Sequence, residues 1–323
     1  MIKFISTVLL GFMTCSLTWA QGGPNPFVGM TRSLGLFAPP QPWISYSGSF
    51  APKENPAAIE NHRLNLSYPL AKTEKDSYTV GLNLSHLHLS ESRNLSKSGL
   101  ATPRSLQRHD LNLGYNRTMG PARSLGIRGT LGVASDKPFQ DAQDTTFNLS
   151  TFYSYPGNNQ GIWVLSAFIS NNSPILNYVP IPGFFYLKRT ETLTYIVGIP
   201  LASVVWTPHE DLRVSASAFG PSLNLEVSQG EQRPWPFFAG FSWTPQTFLR
   251  ANREDREDRL FYDEKRLFLG FRRTVLGQLS TEFQIGQAYD RRMTEGERFS
   301  DFEGGLARFR SSPFAAWNLN LTL

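Results

Sequence analysis

The sequence predicts an all-β protein, an antiparallel transmembrane β-barrel of about 12 strands, with roughly 10 to 16 compatible with the pattern. Three observations lead there. Apolar and polar residues alternate with a period of two through most of the chain, the polar positions hold small residues, and aromatic residues collect near the ends of the alternating stretches.

The first 20 residues stand apart from this pattern. Lys3 precedes an apolar run from Phe4 to Leu17, and Thr18-Trp19-Ala20 places small residues at the −3 and −1 positions of a cleavage site. Residues 1–20 therefore read as a secretory signal peptide and 21–42 as an irregular Gly- and Pro-rich lead-in, which leaves 43–323 for a single barrel domain. Cys15 is the only cysteine and falls in the apolar run. A chain cleaved after Ala20 has no disulfide and no thiolate metal site. Net charge is +5, with basic and acidic residues intermixed, and this does not suggest nucleic acid. Between Thr145 and Leu187 there is no charged residue, but prolines and asparagines interrupt the stretch, so it is not a membrane helix.

The alternation runs in chain order. Leu64, Leu66, Tyr68 and Leu70 alternate with Arg63, Asn65 and Ser67; Tyr78 to Leu84, Leu111 to Tyr115, Leu125 to Val133 and Phe147 to Tyr153 follow the same rule. So do Leu193–Val197, Val214–Ala218, Leu223–Val227, Phe241–Trp243, Leu267–Phe271, Leu279–Ile285 and the terminal Trp317–Leu323. Successive side chains of a strand point to opposite faces, so each stretch has one apolar and one polar face. Leu87 and Leu89 take the opposite phase to Leu82 and Leu84, which suggests a β-bulge near Ser85. Ile162–Ser170 is apolar on both phases and reads as a packed plug or inserted loop. Short turns at 72–76, 120–123, 156–160, 209–211 and 276–277 alternate with longer loops at 90–106, 135–144, 171–189, 250–266 and 290–305. One end of the barrel is thus plain and the other elaborate.

Alternation also fits a water-soluble sandwich. Asn, Ser, Thr and Gly dominate the polar face, with few Lys, as suits a crowded aqueous lumen better than a solvent-facing sheet. Tyr68, Tyr78, Tyr115, Tyr155, Trp206, Trp243, Tyr289 and Trp317 suit an interfacial girdle. A last strand that pairs with the first leaves no edge. On these residues the chain resembles bacterial outer-membrane β-barrel proteins, most sharply through Trp317-Asn318-Leu319-Asn320-Leu321-Thr322-Leu323, although that family usually ends in an aromatic residue. Tyr178–Pro208 is similar to a segment of an uncharacterised group of predicted outer-membrane barrels. The resemblance implies a bacterial outer-membrane location, lipid and lipopolysaccharide as surroundings, and recognition of Trp317–Leu323 by barrel-assembly machinery.

With the apolar phase toward lipid, Arg63, Asp110, Arg128, Arg213, Glu226, Arg272 and Glu282 project into the lumen, since an arginine on the lipid face costs about 2–4 kcal/mol at the midplane. They form either a charge-selective constriction or internal ion pairs filling a closed barrel. The leading expectation is a channel or transporter for small solutes, with no enzyme activity and no cofactor. A structural or interaction barrel with a plugged lumen is the alternative, favoured by bulky inward residues such as Phe152, Phe168 and Phe238. A barrel hydrolase is the third. No G-x-S-x-G, H-E-x-x-H or P-loop occurs, and two histidines, His86 and His88, fall short of a metal site. Some outer-membrane barrels are hydrolases with Ser, His and acidic or Asn partners on the outer face; spacing assembles no such set here, and bound calcium or a Ser–His pair at that surface would favour this reading. The Arg250–Arg259 run, with four arginines three apart and acids between them, reads as a self-compensating solvated loop.

Overall fold

The computed structural model describes residues 41–51, 58–95, 97–230, 232–251, 253, 255–275, 277–300 and 306–323. The signal peptide and most of the lead-in lie outside them. The strands are β1 (Trp43–Phe50), β2 (Ile59–Lys72), β3 (Asp76–Leu89), β4 (Ser105–Gly120), β5 (Arg123–Ser135) and β6 (Thr145–Pro156). Next come β7 (Ile162–Ser170), β8 (Ile181–Arg189), β9 (Leu193–Ile199), β10 (Leu201–His209), β11 (Leu212–Phe219) and β12 (Ser222–Gln229). The last are β13 (Phe237–Trp243), β14 (Gln246–Phe248), β15 (Arg259–Thr274), β16 (Leu279–Gly296), β17 (Leu306–Phe309) and β18 (Ser312–Thr322). Among the described residues no helix is long and apolar enough to cross a membrane.

Neighbouring strands pair antiparallel around a ring that closes where β1 meets β18, in register from Trp43 opposite Thr322 to Phe50 opposite Ala315. β14 pairs only with β15, and β17 only with β16. Without these two short segments the wall has 16 strands rather than 12. The four strands beyond the 12 alternating stretches are β1, β7, β8 and β10. Ile162–Ser170 is thus wall rather than plug, and 181–189, expected in a loop, is β8.

Burial shows which face is which. Leu111 and Leu113 are 48% and 55% exposed, whereas Asp110 and Asn112, between and beside them on β4, are 4% and 5% exposed. The same contrast recurs on β5, β12 and β15, where Leu131, Val227 and Leu269 stand out from the wall. A closed wall with an apolar exterior is the surface of a lipid-spanning barrel, because lipid leaves no partner for an open sheet edge. Tyr68, Tyr78, Tyr115, Tyr155 and Trp206 cluster by the short turns, as a girdle does.

The interior is not uniformly polar. Phe152, Val164, Phe185, Leu187, Ile196 and Leu201 form one inward apolar patch; Phe238, Phe268, Ala288, Phe314 and Ala316 form another. Leu87 and Leu89, 1% and 0% exposed, belong to a third at the long-loop end. Their change of phase is therefore not a bulge. The β2–β3 register runs unbroken from Ile59/Leu89 to Pro69/Thr79 and shifts only between Pro69 and Ala71. The two leucines simply turn inward, where the interior becomes apolar. Interior phenylalanines rest on glycines of the next strand. Phe152 lies over Gly126, and Phe268 over Gly240, so that the missing Cβ makes room for the ring. Gly126→Ala forces the Phe152 ring aside. We expect it to lower barrel stability by about 1–3 kcal/mol in a urea titration of the detergent-folded protein.

Candidate functional site

All seven charged positions expected in the lumen sit on the inward phase of their strands. Arg272 on β15 is the centre of one group. Its Nη2 lies 2.8 Å from Glu226 Oε1 on β12 and 3.5 Å from Glu282 Oε2 on β16. Glu282 Oε1 also accepts from Gln284 Nε2 at 2.7 Å and Asn318 Nδ2 at 2.9 Å. The guanidinium lies 4.5 Å from the centroid of the Phe238 ring. Two carboxylates and an aromatic face thus fix one arginine within the wall's interior. Arg213 on β11, next to Glu226's strand, and Arg128 on β5 and Asp110 on β4 also take the inward phase. Arg63 on β2 does so too; Ser47 and Ser85 stand beside it at the same level on β1 and β3. Phe152, Phe168 and Phe238 take the inward phase as well.

The long-loop end is crossed by a segment of the chain. After β13 the chain leaves the wall, and β14 crosses the mouth. Leu249 forms a parallel bridge with Ser135 on β5, which lies across the ring beyond β16, β18, β1, β2, β3 and β4. Phe248, Leu260 and Tyr262 pack there with Leu87, Leu89, Leu95, Leu106 and Met293. Polar ties hold the crossing segment from several sides. Arg108 Nη2 donates to the Thr247 carbonyl at 2.6 Å, and Arg259 Nη2 to the Asn171 carbonyl at 2.9 Å. Arg253 Nη1 meets Asp144 Oδ1 at 2.9 Å, their side chains 8% and 1% exposed. Lys97 pairs with Asp258 at 2.5 Å, and the Lys97 ammonium is held above its ordinary pKa, chiefly by that hydrogen bond. The Arg250–Arg259 run is thus only partly the expected solvated loop: Asp255, Arg256 and Glu257 are exposed, whereas Arg250, Arg253, Asp258 and Arg259 find partners elsewhere in the chain, and the segment is a strap across the mouth.

Below the strap, Glu264 accepts from Tyr262 Oη at 2.8 Å and pairs with Arg291 at 3.3 Å and with Arg266. On the other face of the same ladder, Arg292 meets Asp263 at 2.8 Å. Sequence reasoning missed this layer because 250–266 and 290–305 read as loops, whereas β15 starts at Arg259 and β16 runs to Gly296. Arg108 was within reach: it is two residues before Asp110, on the same phase.

A second polar patch lies outside the barrel. His62, His86, His88 and His109, four of the five histidines, stand on the outward phase of β2, β3 and β4 near the long-loop end. His86 Nε2 is 2.9 Å from Ser105 Oγ. Glu60 stands opposite His88, which stands opposite Ser105, across three adjacent strands. Among the described residues no group of three or more His, Cys, Asp or Glu is arranged to hold a metal ion.

The chain is distantly similar in fold to solved barrels. The toluene transporter TodX of Pseudomonas putida aligns over 97% of this chain and 98% of its own, at 11% identity and a TM-score of 0.40. An outer-membrane channel from Pseudomonas putida F1 aligns over 88% of this chain and 96% of its own, at 8% identity and a TM-score of 0.38. LpxR from Salmonella typhimurium aligns over 87% of this chain and 100% of its own, at 7% identity and a TM-score of 0.30. Likeness at this distance assigns no function. No family model matches the chain, and no curated protein matches it.

Replacing Arg253 by Gln strands the Asp144 carboxylate in a buried place, at a cost of about 3–5 kcal/mol to the strap's attachment. We expect trypsin to cut the folded Arg253→Gln barrel between residues 244 and 258 much faster than the parent protein.

Proposed function

We propose that this chain is an outer-membrane channel for small solutes, closed in the described conformation at its long-loop mouth. The observation that carries the reading is the combination of a lipid-facing wall with the Glu226–Arg272–Glu282 group inside it, beneath a strap. Opposed charges within a wall of low polarity set up a local field that orders a passing solute by its charge. The strap is held by buried Phe248 and Leu249, by the three-residue β14 ladder and the Leu249–Ser135 bridge, and by ion pairs and side-chain hydrogen bonds, so its release needs no wall strand to unzip. In planar bilayers we expect the parent protein to be mostly closed and Arg253→Gln to show frequent conductance steps. Arg272→Gln in that background shifts the anion/cation preference. If both remain silent while correctly folded, the barrel is a structural or interaction element with a filled interior.

The Ser105–His86 pair supports a second reading, a hydrolase acting at the outer surface. A histidine within hydrogen-bond reach of a serine hydroxyl is the arrangement that activates a nucleophile, and Glu60 is an acid in the neighbouring strand. The pair lies at the rim of the apolar belt, where the ester groups of membrane lipids reside. Phospholipid-ester hydrolysis in mixed micelles, abolished by Ser105→Ala with the fold intact, is the expected result of this reading. A parent protein without such hydrolysis removes it.

A further inference from the structure

Arg63 is 6% exposed and faces the barrel interior. Its Nε and Nη2 have no hydrogen-bond partner. The charges that bear on it are those of two more arginines, Arg108 and Arg266. Neither neighbour can relieve it. Arg108 donates to the Thr247 carbonyl, and Arg266 is taken up by Glu264 and by Ser49 Oγ at 3.1 Å. Among the described residues no carboxylate lies within ion-pair distance of Arg63. A buried guanidinium without a counter-charge is costly, and its like-charged neighbours add to the cost. The surroundings are instead furnished with small polar groups: Ser47 and Ser85 flank Arg63 on the adjoining strands, and Asn61 and Asn65 share its face of β2.

We propose that Arg63, with Arg108 and Arg266 beside it, forms a binding site for a small oxyanion such as phosphate or sulfate inside the barrel. A guanidinium offers two parallel N–H donors that match two oxygens of such an anion, and the free Nε and Nη2 are a pair of this kind. Serine hydroxyls on either side supply further donors. The anion comes from water rather than from a lipid headgroup, because Arg63 lies on the inward phase and the wall separates it from lipid. The site goes beyond the conduction reading and does not rest on it, since binding is measured without a bilayer.

The test is calorimetric titration of inorganic phosphate into the full, detergent-folded barrel, at ionic strength held constant with sodium chloride. We expect saturable binding at one site, weakened about tenfold or more by Arg63→Gln. Arg63→Lys, which keeps the charge and loses the fork, binds at an intermediate level and carries the test should the glutamine variant fail to fold. In phosphate-free buffer Arg63→Gln unfolds at the same or a higher urea concentration than the parent, because it loses no partner, and phosphate no longer raises its midpoint. Absence of saturable binding in the parent overturns the proposal. So does phosphate binding that is unchanged in the folded variants.

Discussion

Everything in this molecule depends on the pairing of β1 with β18. Inside lipid an unpaired backbone N–H or C=O has no water to turn to, so a sheet of this size survives only if its first and last strands satisfy each other. The register from Trp43/Thr322 to Phe50/Ala315 does that. Closure also fixes the meaning of side-chain parity. Once the ring is shut, one phase of every strand belongs to lipid and the other to a confined interior, and a charge has only one tolerable side. The inward placement of Arg63, Arg272 and Glu282 follows from the ladder as directly as the outward placement of Leu113 and Leu269.

The confined interior is lined in two ways. Around Arg272 the contents are polar, with Glu282 met by Arg272, Gln284 and Asn318 and Glu226 by Arg272. Elsewhere they are aromatic rings laid on glycine backbones. The combination explains which parts of the fold could be read from the chain. Where the interior is polar, the alternation is clean, and β3, β4, β5 and β12 announce themselves. Where the interior is apolar, as beside Val164 and Phe185, both phases are apolar and the period of two disappears. Strands β7, β8 and β10 vanish from the pattern for that reason. Leu87 and Leu89 mimicked a bulge for the same reason.

The candidate site was legible to the same degree. Glu226, Arg272 and Glu282 follow from parity alone, although parity does not say that they meet. Their meeting depends on register across β12, β13, β15 and β16, which no local pattern encodes. The strap was not legible. Arg253 and Asp144 are 109 residues apart in sequence, and a run of alternating charges looks the same whether water or distant loops neutralise it. The Ser105–His86 contact is of this kind too: the two residues lie diagonally across β3 and β4, and only the pairing of His88 with Ser105 brings them together.

The strand lengths carry a consequence for the membrane itself. β2 to β5 have 13 to 16 residues and β15 and β16 have 16 and 18, whereas β8 to β13 have only 7 to 9. A tilted strand needs about 9–11 residues to cross the hydrocarbon layer. The flank built from β8 to β13 is therefore short for the bilayer, and the opposite flank is ample. Lipid next to the short flank must thin to meet it, while lipid next to the tall flank need not. The barrel thus sits in a lopsided collar of lipid.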